Sequence, residues 1–179
     1  LTDLFEQNAS DFTREMMEAD DYTALEQCKM NGGLYALPSV NGNHDNVPIM
    51  WIRRDWMEKL DKKAPTTLAE LEALAQAFVS EDPDGNGQDD TYGIALSSDV
   101  YGNAFCDLTG IMEIFGAHNG WVEKDGKAAY GLVQPEMKSV LETVHRWYGS
   151  GIIDQEFIAK DTGKVSEDVV AGKVGITFG

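Results

Sequence analysis

Amphipathic helices that alternate with short apolar segments constrain the fold of this 179-residue chain more than any other feature. Asp55 and Thr67 are each followed three residues later by a glutamate, which is the pattern of a capping box at a helix start. A third helix is predicted to begin at Pro135, because proline is favoured in the first turn. Apolar residues at helical spacing follow the last two of these starts. Further helices are predicted over 107–115 and 10–19.

Strand-like segments separate these helices. They are short, and most are rich in the β-branched and aromatic residues that favour strands. Asp125-Gly126 lies between two such segments and predicts a β-hairpin over 121–131. Strands that alternate with helices predict an α/β fold in which the sheet is flanked by helices. The remaining strand-like segments are 33–38, 47–54, 91–98 and 174–178.

The charge of the chain excludes some classes of partner. Its 31 acidic residues against 14 basic ones give a net charge of -17. A nucleic-acid surface needs clustered Lys and Arg, so this composition argues against one, and equally against binding to anionic lipid. No apolar run approaches the roughly 20 residues of a membrane span. Cys28 and Cys106 are expected to be two partly buried free thiols, with a disulfide between them as the alternative.

An acidic loop, DPDGNGQDD, raises the question of a bound cation. Calcium takes about six to eight oxygen ligands, which alternate residues of a tightly turning loop can supply. Gly87 occupies the sixth position, where such loops bend, but the twelfth position holds Gly93 instead of the usual glutamate. A structural calcium ion is therefore predicted, and a solvated polar turn is the alternative. The candidate ligands are Asp82, Asp84, Asn86, Gln88 and Asp90.

The order of segments along the chain resembles family 1 extracellular solute-binding proteins of ABC importers. The segments are GLYALP, MWIRRDWMEKL, APTTLAELEALAQAF, TYGIALSS, IFGAHNGWVEKDGK, PEMKSVLETVHRWYGSGIID and EDVVAGKVGITFG. The resemblance implies two lobes of the periplasmic-binding-protein-like (type II) fold, joined by a hinge. On that pattern, residues 1–47 would be the end of the first lobe and the hinge crossover. Residues 48–179 would be most of the second lobe of a longer protein.

The resemblance also implies a function. Members of the family bind an oligosaccharide between the lobes, leave it chemically unchanged and deliver it to the membrane subunits of an ABC permease. The implied protein is a monomeric, membrane-anchored extracellular lipoprotein, with a periplasmic location as the alternative. Some alginate-binding members carry a calcium loop of this type, in which the last ligand is an acid at the place that Thr91 occupies here.

The family often contacts its ligand through the loop after the strand that matches TYGIALSS. Here that loop carries Asp99, Tyr101 and Asn103, which offer an acid, an aromatic ring and an amide to a sugar. The alternative is that the loop is only a helix N-terminus, in which Asn103 or Asp107 is the cap and Tyr101 packs locally.

The tryptophans and two rival functions remain to be placed. Trp147 is expected in the core, Trp56 half buried and Trp51 in core or lobe-surface packing, whereas Trp121 is undecided. No phosphate loop and no HExxH or GxSxG motif is present. A carbohydrate-active enzyme with a glycoside-hydrolase carboxylate pair is one alternative function. A calcium-dependent interaction module is another, although it would need a duplicated loop and the sequence has one.

Overall fold

The computed structural model describes residues 1–19, 22–39, 47–102 and 105–179. These residues form two compact units, Leu1–Val47 and Pro48–Gly179. The assignment of the two units to two lobes of a larger protein stays a prediction. Residues 40–46, which fall in the predicted hinge crossover, lie outside the described residues.

Three short helices and a small hairpin make up the first unit. Ser10 caps the second helix, because its hydroxyl accepts a hydrogen bond from the Thr13 amide at 3.1 Å. The predicted helix over 10–19 is thereby confirmed, whereas the segment predicted as strand 33–38 contributes only two residues to a strand. Phe5, Met17, Leu25 and Leu34 form the core of this unit. Its elements are α1 (Thr2–Asn8), α2 (Asp11–Glu18), α3 (Thr23–Gln27), β1 (Lys29–Met30) and β2 (Gly33–Leu34).

A mixed three-stranded sheet lies at the centre of the second unit. Its strands are β3 (Met50–Ile52), β4 (Tyr92–Ile94) and β7 (Val174–Phe178), in the order β3-β7-β4. The strand β7 pairs antiparallel with β3 and parallel with β4, with Ile94 opposite Ile176. Because β7 is central, it is buried along most of its length.

Five helices and a hairpin surround this sheet. They are α4 (Arg54–Lys59), α5 (Leu68–Ser80), α6 (Thr109–Ile114), α7 (Pro135–Gly149) and α8 (Thr162–Val170), with the hairpin strands β5 (Trp121–Lys124) and β6 (Lys127–Tyr130). The predicted helix starts at Thr67 and Pro135 and the hairpin turn at Asp125-Gly126 are confirmed. The predicted α/β architecture, a sheet flanked by helices, is confirmed as well.

The helix α5 packs directly on the sheet, which requires glycine on the two strands beneath it. A Cβ atom at Gly175 would lie 2.1 Å from the Phe78 ring, and one at Gly93 would lie 2.7 Å from the carbonyl oxygen of Ala75. Both contacts are closer than real Cβ atoms approach. The core around this contact includes the fully buried Phe78 and Trp147, so the expected core position of Trp147 is confirmed.

Two local predictions were wrong. Asp55 does not cap a helix: α4 begins at Arg54, and the Asp55 carboxylate instead accepts a hydrogen bond from Arg53 Nε at 2.7 Å. Trp56 is fully buried, not half buried, and packs edge-on against Phe78. Trp51 is exposed in the second unit, so it is not a core residue, and its predicted packing at a lobe surface stays a prediction.

The two cysteines form no disulfide, as predicted; Cys106 is buried and Cys28 is half buried. Within the described ranges, no helix combines the length and apolar character that crossing a membrane requires.

Candidate functional site

The loop that follows β4 leaves the core at a defined point. Ala95, Leu96 and Ser97 are buried, and the backbone becomes accessible only from Ser98 onward. The Ser97 amide donates a hydrogen bond to the Cys106 carbonyl at 3.0 Å, and the Ser98 amide donates to the Lys160 carbonyl at 2.8 Å. The base of the loop is therefore held from two sides by backbone hydrogen bonds.

A buried carboxylate, that of Asp107, organises the rest of this loop. One of its oxygens accepts a hydrogen bond from the Gly102 amide at 3.0 Å, and the other accepts one from the Thr109 amide at 2.8 Å. The Leu108 amide also bonds the Val100 carbonyl at 3.0 Å. Asp107 thus joins the end of the loop to the first turn of α6, whose N-cap residue is Leu108 and not Asp107.

The predicted ligand-binding residues lie at the exposed part of this loop. Asp99 is exposed, and Tyr101 is half buried against the main core. Burial raises the pKa of the Tyr101 phenol, and the nearby phenol of Tyr130 raises it further. Asn103 lies outside the described residues. An acid and an aromatic ring therefore occur together at one loop, and their role in binding stays a prediction.

The β5–β6 hairpin brings a further pair of aromatic rings to the surface. Trp121 lies opposite Tyr130 in the strand register, and their ring centroids are 5.5 Å apart in an edge-to-face arrangement. Sequence reasoning left Trp121 undecided and did not single out Tyr130. One sequence signal could have identified the pair: both residues lie at the open end of the hairpin that the Asp125-Gly126 turn predicts, where they face each other across the strands.

A cluster of charged residues holds α8 and the loop base together. Lys160 Nζ forms ion pairs with Asp154 and Asp168, the latter at 2.7 Å, and Tyr92 donates a hydrogen bond to Asp168 at 3.1 Å. Burial acts to lower the pKa of Lys160, but hydrogen bonds to both carboxylates outweigh it and raise that pKa. The cluster was missed because its members are far apart in sequence and no local pattern joins them.

The acidic loop folds around its own side chains. Asp82 accepts hydrogen bonds from the amides of Gly85 at 2.9 Å and Gly87 at 3.2 Å. The side-chain amide of Asn86 donates to Asp84 at 2.8 Å and to Asp90 at 3.0 Å, so a donor lies between two carboxylates. The carboxylates of the loop are thus held around a tight turn by hydrogen bonds from the loop's own amide groups.

The residues that follow the loop add no ligands. Thr91 is buried and its hydroxyl donates to the Phe78 carbonyl at 2.7 Å, so it faces the core. Gly93 lies in β4 beneath α5, where no side chain fits. In the part of the chain that the structure describes, no three His, Cys, Asp or Glu side chains are grouped closely enough to hold a metal ion. The loop thus has the turn and the donors of a cation site, but an incomplete ligand set.

Lysines partly neutralise this loop. Lys59 donates to the Asp82 carbonyl at 2.9 Å, and Lys173 lies 3.4 Å from the Asp90 carboxylate. The Asn86 amide, together with Lys173, holds the pKa of Asp90 below its usual value against the opposing effect of burial.

No family model matches the chain, but individual proteins do. The chain is 30% identical to lipoprotein LipO of Bacillus subtilis (strain 168), over 91% of this chain and 32% of that protein. It is 34% identical to the polygalacturonan/rhamnogalacturonan-binding protein YtcQ of the same organism, over 72% of this chain and 25% of that protein. The chain thus spans about a third or less of the curated relatives it matches.

Solved structures extend the comparison to the fold. The HMO-binding ABC-transporter-associated solute-binding protein from Bifidobacterium longum infantis is 27% identical and superposes with a TM-score of 0.75, over 93% of this chain and 36% of that one. The Streptococcus pneumoniae ABC-transporter substrate-binding protein FusA is 24% identical, with a TM-score of 0.72 over 98% of this chain and 37% of that one. That FusA structure is described as an EF-hand mutant in complex with fructo-nystose.

These matches cover most of this chain and agree in both sequence and fold. The chain is homologous to parts of lipoproteins and solute-binding proteins of ABC transporters and has the periplasmic-binding-protein-like fold of the solute-binding proteins.

Proposed function

We propose that this chain is part of the substrate-binding component of an ABC importer, which binds an oligosaccharide between two lobes and does not convert it. The observation that carries the proposal is the agreement of two comparisons. A polysaccharide-binding relative is 34% identical over 72% of this chain, and a glycan-binding structure superposes with a TM-score of 0.75 over 93% of it.

The loop after β4 is the proposed ligand contact in this chain. Aromatic faces stack on the CH side of sugar rings, while carboxylates and amides hydrogen-bond the hydroxyl groups. Tyr101 and the exposed Asp99 supply these two chemistries, and Asn103 would supply the amide. The position also supports the proposal, because α/β folds bind ligands beyond the carboxyl ends of their strands and this loop follows the end of β4.

The two units then correspond to parts of two lobes. Residues 1–47 would be the end of the first lobe and the crossover, and 48–179 most of the second lobe. Closure of the lobes on a ligand would present a surface to the permease. The protein would act as a monomer at the outer face of the membrane, anchored as a lipoprotein or, alternatively, free in a periplasm.

A direct test uses the full-length protein. A glycan array followed by titration calorimetry should identify an oligosaccharide that binds, and Tyr101→Ala should weaken it. Chromatography of the bound sugar after a long incubation should recover it intact. Failure to bind any glycan would refute the proposal, and the release of shorter products would favour the carbohydrate-active enzyme instead.

A calcium ion in the acidic loop is a second part of the proposal. The spacing of Asp82, Asp84 and Asp90 in a tightly turning loop supports it, as does the EF-hand named in the FusA structure. Thr91 and Gly93 occupy the positions at which more complete calcium loops have acidic ligands. The ion would therefore act as a structural clip of modest affinity. Asn86 and Gln88 would complete its coordination through a side-chain and a backbone oxygen.

The calcium proposal has its own measurement. Added calcium should raise the melting temperature of the full-length protein, and a chelator should reverse the increase. Asp84→Asn should abolish the calcium effect, whereas Asp125→Asn, in the hairpin turn, should leave it intact. A melting temperature that does not respond to millimolar calcium would refute the site without affecting the sugar-binding proposal.

A further inference from the structure

The outer face of the β5–β6 hairpin carries a large aromatic ring in an exposed but ordered position. Trp121 is 74% exposed. Its ring meets that of Tyr130 edge to face, with the centroids 5.5 Å apart and an interplanar angle of 61°. Exposed tryptophan is unfavourable in water, because the ring leaves a large apolar surface uncovered. A ring held in place by a cross-strand partner is therefore suited to receive a ligand.

The inner face of the same hairpin fixes it to the body of the second unit. Val122 and Ala129 point inward and are half buried, and Lys124 Nζ bonds Gln134 at 3.3 Å and Glu136 at 3.2 Å. The Gly131 amide donates to the Gly120 carbonyl at 2.6 Å, which closes the open end of the hairpin. The outer face is consequently presented on a rigid support.

Side chains alternate along a strand, so the outer face can be read from the register. Glu123 lies two residues from Trp121 on that face and pairs across the strands with Ala128. All four outer residues, Trp121, Glu123, Ala128 and Tyr130, are exposed. The small Ala128 side chain leaves space beside the rings, and Glu123 places a hydrogen-bond acceptor at the edge of that space.

The hairpin face adjoins the loop that we propose to contact the sugar. The phenol of Tyr130 is close enough to that of Tyr101 to contribute to its raised pKa, second to burial. Tyr130 thus forms a ring pair with Trp121 and also acts electrostatically on Tyr101 of the ligand loop.

We propose that Trp121, Tyr130 and Glu123 form an outer subsite that binds a further sugar unit of a neutral oligosaccharide whose first units contact the loop at Asp99 and Tyr101. This inference rests on the function proposed above. Trp121 would stack on the sugar ring, and Glu123 would accept hydrogen bonds from its hydroxyl groups. Disaccharides would end before the hairpin, so the subsite would distinguish ligands by length.

The charge of the site favours a neutral ligand over a uronic acid. A uronate at the subsite would face the Glu123 carboxylate at close range, on a chain with a net charge of -17. Like charges that are not separated by a cation repel. This chain would therefore differ from its polygalacturonan-binding relative in the charge of its preferred ligand.

Titration calorimetry on the full-length protein tests the subsite. The probes are neutral sugars of two to four units (sucrose, kestose and nystose; cellobiose to cellotetraose; xylobiose to xylotetraose) and galacturonic acid oligomers of the same lengths. Trp121→Ala should weaken the best neutral tetrasaccharide about tenfold and leave its disaccharide unchanged. Trp121→Phe should restore most of the affinity. Lys127→Ala, on the inner face of the same hairpin, is the matched control and should have no effect.

The outcomes separate this inference from the proposed function. An equal loss for all lengths, or no loss for any, would overturn the outer subsite while leaving the function intact. Normal sugar binding with defective import in Trp121→Ala cells would assign the rings to a protein partner and also overturn it. Tighter binding of the galacturonic acid series would overturn the preference for neutral sugars. In Glu123→Gln, the difference in affinity between neutral and galacturonic acid oligomers should be smaller than in the wild type. Failure of the wild type to bind any of these sugars would overturn both proposals.

Discussion

Replacement of Asp107 by alanine should destabilise the protein and weaken ligand binding together. The carboxylate is buried, with 5% of its residue surface exposed, and it accepts hydrogen bonds from two backbone amides, those of Gly102 and Thr109. Alanine removes both acceptors at once. The Gly102 amide belongs to the end of the loop that carries Asp99 and Tyr101, so the loop also loses its side-chain attachment to α6 and keeps only the backbone bond between Leu108 and Val100.

The size of the effect follows from these two bonds. A hydrogen bond to a charged group contributes about 1.5–3 kcal/mol, and a buried donor left without an acceptor costs about 1–3 kcal/mol. Both amides are only partly buried and water can reach them in the variant, so we expect a total loss of about 2–4 kcal/mol. Asp107→Asn retains one acceptor oxygen and should lose about half of this.

Urea denaturation of the full-length protein measures the loss, provided that the slope of the transition is unchanged. Glu167→Ala, an exposed position on α8, is the control and should change the free energy of unfolding by less than about 0.5 kcal/mol. Calorimetry with the best-binding glycan should show weaker binding to Asp107→Ala. A change in stability no larger than that of the control would show that Asp107 does not organise the loop.

Three further predictions concern stability. Gly175→Ala should cost about 1–3 kcal/mol or more in urea denaturation, because its Cβ would overlap the Phe78 ring, whereas Gly149→Ala, with open space at its Cβ, should be neutral or stabilising. Lys160→Met should cost about 2–4 kcal/mol, since it leaves Asp154 and Asp168 without their cation. The pKa of Lys160 is raised in the folded state, so its contribution to stability is complete below about pH 10.4 and is lost as the pH rises through the folded-state pKa. If the difference in free energy of unfolding between variant and wild type disappeared below pH 9, this explanation would be wrong. Thr67→Ala should lower the melting temperature by removing the cap bond to the Glu70 amide, about 1 kcal/mol, and an unchanged melting temperature would contradict this role of Thr67.

Local chemistry explains which parts of the fold could be predicted from the sequence. The cap at Thr67, the proline at the start of α7 and the Asp125-Gly126 turn each depend on residues within a few positions of one another. These elements were predicted correctly. Asp55 was wrongly assigned as a helix cap because the capping pattern occurs here inside α4. Its carboxylate accepts a hydrogen bond from Arg53 and does not cap the helix.

Long-range contacts explain what the sequence could not reveal. The Lys160 cluster joins residues from three places: β4, the segment between α7 and α8, and α8 itself. No spacing rule connects them. The likeness to solute-binding proteins located the loop at Asp99 and Tyr101, but not the aromatic pair on the hairpin. That pair depends on the strand register, which is a property of the folded chain.

The incomplete acidic loop follows from the packing of α5 on the sheet. The twelfth position, where a calcium loop supplies its bidentate glutamate, coincides with Gly93 in β4. A side chain there would overlap the backbone of Ala75, so this strand cannot carry the ligand while α5 rests on it. Thr91 is likewise committed to the Phe78 carbonyl. Lys59 and Lys173 lie beside the loop, and their positive charges partly neutralise its carboxylates. In a more complete site the bound ion would neutralise them. The same contact that builds the core therefore limits the affinity of the loop, and a calcium ion there would stabilise the fold without acting as a sensor.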